Sequence, residues 1–321
     1  MSLTSSMPCN LCGNQHVDLL SNQSRNGGTL QTVICTQCGL IWSDPFPHDP
    51  RQFYQDDYRL AYKNSYTPKP RHALRAGKVA LERHDKIKHL LAQPCRFLDV
   101  GTGGGEFAYL IQSLGHDMHG IEPNTAYAEY SRNQYGLNLQ TGFIQDAVFD
   151  NDSFDVITIW HVLEHTENPS LVLQKLAGFL KPDGCLVVEV PNAEATCQSP
   201  HSTFHEAHLF NFNFASLSKM GEKAGLRAEQ HQFSDDQGNV TVFFRKAANP
   251  SPHLNLAIPD NADKISGILR SHSHGKHYCS VTPYLRFIRR QFRSIQERLT
   301  IKRYTNNRTL LDALYQSVQQ S

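Results

Sequence analysis

The chain is poor in the features that would tie it to a bilayer span or a polyanion. None of its 321 residues lies in a run of ~18 uninterrupted apolar positions, so no membrane span is expected. Its first residues, MSLTSSMPCN, lack both the basic flank and the apolar stretch of a secretory leader, and a cytoplasmic protein is expected. Charge of one sign is lacking too: Lys plus Arg number 31 against Asp plus Glu 30, which leaves no global field demanding nucleic acid. A hydrophobic content of 39% excludes wholesale disorder and supplies a sizeable core.

What the chain has, it has locally. Four of the eight cysteines form two Cys-x-x-Cys pairs, Cys9 with Cys12 and Cys35 with Cys38, while Cys95, Cys185, Cys197 and Cys279 are scattered. In a reducing compartment that pattern reads as metal binding rather than disulfides. Gly13 and Gly39 each follow a pair, as a chain turning sharply around an ion requires. Between the pairs Gly27 and Gly28 separate two short segments, which predicts a hairpin closed by the metal. Zinc suits four converging thiolates; a rubredoxin-type iron site and a thiol redox pair use the same spacing and remain alternatives. Four protein ligands leave no open coordination position, so the site is expected to be structural.

The prolines of Asp44-Pro45-Phe46-Pro47 and Asp49-Pro50 close this module, giving a zinc ribbon over 1–45. A linker and helical lead-in over 46–95 follows, with Tyr54, Tyr58, Tyr62 and Tyr66 in its first half and a helix over 74–91 in its second. From Arg96 strand and helix alternate. A strand at 96–100, a glycine loop Gly101-Thr102-Gly103-Gly104-Gly105 and a helix over 106–114 form a βα turn. Further strands are expected at 118–121, 139–144, 156–160, 185–190 and 239–245, with helices up to Tyr135 and over 170–180. Such alternation predicts an α/β, open, mostly parallel, doubly wound sheet over 96–248.

A glycine loop alone does not identify a ligand, because nicotinamide and flavin folds also carry one. The acids around it discriminate. Asp99 sits two residues before the first glycine, where a carboxylate would repel a pyrophosphate and suit a cationic or amino-bearing ligand. Glu122, closing the second strand before Pro123, can accept both hydroxyls of a ribose, and Asp146 beyond the third can take the amine of an adenine.

In this order, LDVGTGGGEFAYLI, GIEPN, FIQDAVF, FDVITIWHVLEHTENP and LKPDGCLVVEVPN resemble the class I S-adenosylmethionine-dependent methyltransferases over about residues 96–192. The resemblance implies a Rossmann-like, seven-stranded core binding S-adenosylmethionine. It would place Asp99, Gly101, Thr102, Gly103 and Gly105 around the methionine moiety, Glu122 and Pro123 on the ribose, and Asp146 with Ala147 near the adenine. The Trp160-His161 region would lie near the transferred methyl. Together with the cysteine pairs, FHEAHLFNFNFASLSKMGEKAGL is similar to bacterial methyltransferases of sugar and polysaccharide biosynthesis, some with an N-terminal zinc module. The expected activity is methyl transfer to a small-molecule, sugar or lipid-linked acceptor; the alternative is a non-catalytic, zinc-containing, nucleoside-binding scaffold.

Histidines offer the remaining chemistry. His161-Val162-Leu163-Glu164-His165 matches the H-x-x-E-H pattern of inverted zinc peptidases, but it begins where a strand ends and runs into Asn168-Pro169, so a continuous helix is not available. The same three side chains can share a helical turn, and a similar cluster is thought to hold a divalent ion in some quinone-biosynthesis methyltransferases. His161, His205 and His208 are the candidate catalytic residues, since a histidine near neutral pKa can deprotonate an acceptor hydroxyl. His272, His274 and His277 fall in a stretch expected to be a solvated loop.

After Asn249-Pro250-Ser251-Pro252 a helical C-terminal extension occupies 249–321. Leu285, Ile288, Phe292, Ile295 and Leu299 recur every three or four residues, an apolar seam. Between 281 and 310 stand eight Arg or Lys and one acid, Glu297, a local charge of +7. The seam can pack on its own core, pair with a second subunit as a homodimer, or attach 285–303 to an anionic membrane surface. Nucleic acid is not expected, as no aromatic stacking pattern accompanies the charge.

Overall fold

A computed structural model describes residues 2–47, 49–52, 67–248 and 254–319; the four linker tyrosines and the Asn249-Pro250-Ser251-Pro252 exit lie outside the described residues. In chain order come β1 (Ser2–Thr4), β2 (His16–Gln23), β3 (Thr29–Cys35), β4 (Ile41–Ser43), α1 (Pro70–Ile87), β5 (Arg96–Val100), α2 (Glu106–Ser113), β6 (Asp117–Glu122), α3 (Thr125–Tyr135), β7 (Asn138–Thr141) and β8 (Phe154–Trp160). Then follow α4 (Pro169–Phe179), β9 (Leu180–Pro191), β10 (Phe210–Asn211), α5 (Phe214–Lys223), β11 (Leu226–Phe233), β12 (Asn239–Lys246), α6 (Asn261–Ser271), α7 (His274–Tyr278), α8 (Thr282–Ile301) and α9 (Asn307–Gln319).

Seven strands form one mixed sheet in the order β11-β12-β9-β8-β5-β6-β7. β5, β6 and β7 run parallel, whereas β9, β12 and β11 pair antiparallel. This is the expected Rossmann-like α/β architecture, and the strand order reverses between β5 and β8, the place where such sheets bind ligands. Local sequence explains most elements. Asn124 caps α3 by accepting from the Tyr127 N–H, and Gly136 ends it in the left-handed region at φ 72°.

Three local expectations are corrected. β7 stops at Thr141 rather than 144, because Gly142 takes φ 146° and the next residues close a turn in which the Asp146 N–H donates to the Phe143 carbonyl. β11 was not foreseen: it is an edge strand whose mostly exposed residues carry no apolar run. His274–Tyr278 is a short helix, not a loop, started by Ser273, whose hydroxyl accepts from the Lys276 N–H.

Contacts group the chain into two compact units, 1–50 with 159–283 and 51–158 with 284–321. In the first, the N-terminal hairpin is part of a five-stranded sheet, β1-β2-β3-β4-β10. Its edge comes from far along the chain: Phe210 pairs with Trp42 and Asn211 with Ile41, antiparallel. Trp42, Ile41, Phe210 and Phe212 are fully buried there. Polar links run alongside. The Ser24 hydroxyl donates to Glu206 at 2.7 Å, and Lys223 donates to the Asn10 carbonyl at 2.6 Å.

In the second unit the C-terminal helix α9 packs on α1. Gly77 makes the close approach, since a Cβ there would lie 2.6 Å from Leu311 Cδ2 and 2.8 Å from Leu314 Cδ2. Tyr315, buried, donates its hydroxyl to the Glu106 carbonyl at 2.9 Å. α8 is held differently. Its buried Glu297 receives the Arg71 guanidinium at 2.6 Å and that of Arg75 at 2.7 Å, and Arg71 also donates to Ser294. The apolar seam of α8 is not packed on the protein's own core: Leu285, Ile288, Phe292, Ile295 and Leu299 are 46–66% exposed. Among the described side chains of this helix, the buried one is Glu297, held by its ion pairs.

Candidate functional site

The glycine loop between β5 and α2 is built from backbone that only glycine tolerates. Gly101, Gly103 and Gly105 have φ of 76°, 57° and 84°. At Gly105 a Cβ would also stand 2.8 Å from Ser131 Oγ, so this position has no room for a side chain. Two buried carboxylates flank it. Glu122, at the end of β6, accepts from the Gly103 N–H at 2.7 Å and the Asn124 N–H at 3.1 Å. It thereby ties the loop to the β6–α3 turn, in which Pro123 is half-buried. Asp99 on β5 accepts from Thr158 on β8 at 2.7 Å. Burial pushes its carboxyl up to about 6, with Thr158 acting in the opposite direction.

The Thr102 hydroxyl is buried within the same loop with no hydrogen-bond partner among the described residues. A buried, unsatisfied hydroxyl in a glycine loop can receive a polar ligand. Asp146 stands apart in character: its side chain is 60% exposed and paired with Arg51 at 2.9 Å, while neighbouring Ala147 is buried.

In the other unit, the end of β8 and the turn after it gather a histidine and carboxylate cluster. Trp160 is buried, and His161 takes the left-handed φ of 54°, a region that few residues other than glycine visit. Its Nε2 lies 3.2 Å from Glu189 and its Nδ1 3.5 Å from Glu164. Burial alone would lower its pKa, but the two carboxylates outweigh burial and lift it to about 9. At neutral pH His161 is therefore a cation that donates. Glu189 is itself held by the Thr241 hydroxyl at 2.6 Å.

Glu164 is buried to 1% exposure, yet neither carboxylate oxygen has a full hydrogen bond among the described residues. His161 and His165 approach it only at 3.5 and 3.7 Å. Burial favours its neutral form, and the surrounding His165, His161 and His208 reverse that, lowering it to about 2. His165 lies 2.6 Å from the Ala207 carbonyl through Nδ1. His205 Nδ1 accepts from the Ala207 N–H at 2.8 Å, and His205 and His208 stack with ring centroids 5.1 Å apart. Burial lowers His205 to about 4 and His208 to about 3, so both rings are neutral at working pH. One nitrogen each of His165 and His208 and one oxygen of Glu164 lie within 4.8 Å of one another. His208 thus completes the possible ligand set of Glu164 and His165, a contribution from a distant loop that residue spacing does not reveal. His201 lies outside the cluster, on a helical turn over Pro200–Ser202.

Cys9, Cys12, Cys35 and Cys38 converge as their spacing predicts. Their sulfurs fall within 4.8 Å of one another, with Cys9 to Cys38 and Cys12 to Cys35 at 3.5 Å. That is near the edge of a tetrahedron with metal–sulfur bonds of about 2.3 Å. The Cys12 and Cys35 side chains, with burial, push Cys9 and Cys38 above the usual thiol range, while Cys12 and Cys38 pull Cys35 below it. Gly13 and Gly39 turn at φ 79° and 74° behind the pairs. The donor set and its packing fit a single soft cation.

Residues 71–231 match the family model described as a methyltransferase domain, half of the chain. A ubiquinone biosynthesis O-methyltransferase of Glaesserella parasuis is 30% identical over 137 residues, 40% of this chain and 57% of that protein. A protein of Mycolicibacterium smegmatis named as a probable S-adenosylmethionine-dependent methyltransferase is 25% identical over 151 residues, 46% of this chain and 59% of that one. The chain thus spans little more than half the length of these relatives. A solved SAM-dependent methyltransferase from Aquifex aeolicus is 18% identical, aligns with 61% of this chain and 98% of its own, and has a TM-score of 0.43.

Proposed function

Because the chain belongs to the methyltransferase domain family, we propose that it transfers the methyl group of S-adenosylmethionine to a hydroxyl of a small-molecule, sugar or lipid-linked acceptor. Polysaccharide or secondary-metabolite biosynthesis is the proposed setting and the cytoplasm the proposed place. The observation that carries the cofactor half is the pair of buried carboxylates, Asp99 and Glu122, on either side of a loop of left-handed glycines. Asp99, whose carboxyl burial raises, gains from the cationic ammonium or sulfonium of the methionine moiety. Glu122, which accepts from the Gly103 and Asn124 N–H groups, is the carboxylate proposed to accept from the ribose hydroxyls. Asp146 with Ala147 is proposed for the adenine end, where the amine competes with Arg51 for the carboxylate.

On the acceptor side, oxygen is favoured by the O-methyltransferase named among the relatives. The acceptor oxygen attacks the methyl carbon, the carbon–sulfur bond breaks with its electron pair going to sulfur, and the hydroxyl proton leaves to a base. His208 and His205 are neutral and can take that proton. His161, as a cation, orients by donating instead.

Glu164 favours a second reading, in which Glu164, His165 and His208 hold a divalent cation that fixes the acceptor oxygen. Unchanged turnover after removal of bound metal from this cluster rejects it. For the cysteine cluster we propose one structural zinc.

The test is incubation with methyl-labelled S-adenosylmethionine and a panel of phenols, sugars and lipid-linked hydroxyl compounds, read by mass spectrometry. An acceptor gaining one methyl supports the proposal. Cofactor binding without transfer to any member supports the nucleoside-binding scaffold instead.

A further inference from the structure

α8 carries an amphipathic pattern that its own unit does not use. Its inward side is Glu297, 1% exposed and clamped by Arg71 and Arg75. At 3.6 residues per turn, the seam of Leu285, Ile288, Phe292, Ile295 and Leu299 lies about half a turn away from Glu297. Each of these five side chains is exposed, Phe292 to 66%. Among the described residues, other exposed large apolar side chains such as Leu3, Val79, Val148 and Leu171 stand far apart in the sequence.

Charge around the seam has one sign. Arg289, Arg290, Arg293, Arg298, Lys302 and Arg303 are exposed along the same stretch. Its only acid, Glu297, is turned inward and neutralised, so no carboxylate on residues 282–303 reaches the solvent side. A second copy of the chain placed face to face would bring two sets of arginines together with no acid on either seam to offset them. An apolar stripe bordered by long cationic side chains has instead the composition of a helix that lies in the plane of a membrane interface. There the apolar residues enter the acyl boundary and the Arg and Lys heads stay at the level of anionic lipid heads.

We propose that α8, continued through Lys302 and Arg303, is a docking surface for an anionic lipid bilayer, with Glu297 and its two arginines fixing the helix so that the seam faces outward. The surface is independent of the methyl-transfer reading and acts as a fixed face on the folded unit, because Glu297 ties α8 to Arg71 and Arg75 of α1.

The test uses the full chain and vesicles of phosphatidylcholine with or without phosphatidylglycerol, read by sedimentation. Binding to the phosphatidylglycerol vesicles, weakened by added salt and absent on phosphatidylcholine alone, is expected. Phe292→Glu with Ile295→Glu should lower the bound fraction about tenfold or more, since two apolar contacts are lost. Arg289→Gln with Arg293→Gln should lower it and flatten its salt dependence. All four positions are exposed, so unchanged circular dichroism and melting are expected; a seam variant that has lost its fold is replaced by Phe292→Ser. Bromine-labelled acyl chains should quench an indole placed by Phe292→Trp. Absence of binding to anionic vesicles, or binding unaltered by the folded seam variants, overturns the proposal. So does a sedimentation-equilibrium dimer that Phe292→Glu dissociates, which would give the seam to a second copy.

Discussion

The hydroxyl of Thr158 donates to the buried carboxylate of Asp99 at 2.7 Å, across the neighbouring strands between which the sheet order reverses. This single bond does not offset burial, which holds the Asp99 carboxyl at about 6. The sign follows from the raised value. Unfolded chains give up this proton first, so the ligand-free protein gains stability as pH falls from about 6 toward about 4 and loses it as pH rises through that window. A cationic ligand favours the ionised form. Affinity for S-adenosylmethionine should therefore weaken as pH falls through about 6, with a proton released on binding in that range. Titration calorimetry in buffers of different ionisation enthalpy checks this, and Asp99→Asn should flatten the dependence. A wild-type affinity constant across pH 6 would remove Asp99 from the cofactor site.

Glu122→Ala should weaken the same ligand by about 1–3 kcal/mol, the scale for buried hydroxyls left without an acceptor. The Gly103 and Asn124 N–H groups lose their partner as well, so the variant should also melt earlier. Calorimetry showing an unaltered dissociation constant in a folded variant would refute the ribose assignment.

One zinc per chain is expected from elemental analysis, and Cys35→Ser should release it. Protease susceptibility should then rise in the first 45 residues. Iron in place of zinc, or four freely titrating thiols in metal-free protein, would contradict the assignment.

Single-turnover rates separate the histidines. His208→Ala, if this ring takes the acceptor proton, should slow transfer by roughly 10²–10⁴-fold with cofactor affinity nearly unchanged. Since its pKa is lowered to about 3, the rate should show no loss from His208 protonation between pH 5 and 8. Rates within a few-fold of wild type for His161→Ala, His205→Ala and His208→Ala alike would mean catalysis by positioning alone.

Gly77→Val tests the close helix pair. Its branched side chain would meet Leu311 and Leu314 where only hydrogen now fits, and denaturant unfolding should register a loss of about 1–3 kcal/mol. A variant as stable as wild type would show that α9 can withdraw from α1 without cost.

How much of this could be read beforehand depended on distance along the chain. The cysteine pairs, the glycine loop and Glu122 announce themselves because their chemistry is local: a pair spacing, a run of glycines, an acid closing a strand. Pairings between remote polar groups leave no periodicity. Nothing near Asp99 points to Thr158, nothing near Glu297 points to Arg71 and Arg75, and His161 owes its charge to Glu189, remote in the sequence, as well as to Glu164 beside it. The seam of α8 was visible as a stripe, but its exposure follows from the ion pair that orients the helix. β11 and β10 were hidden because a solvated edge strand and a two-residue strand carry too few buried positions to form a pattern.

The pairing of β10 with β4 sets an order of events for a chain emerging from the ribosome. The cysteine knuckles and the hairpin between them can close early, as both pairs lie within the first 38 residues. Trp42, however, meets its partner only after Phe210 has been synthesised, and until then one edge of that sheet has unpaired backbone and an uncovered indole. A nascent chain halted before β10 should therefore be a client for chaperones even with its four cysteines already gathered.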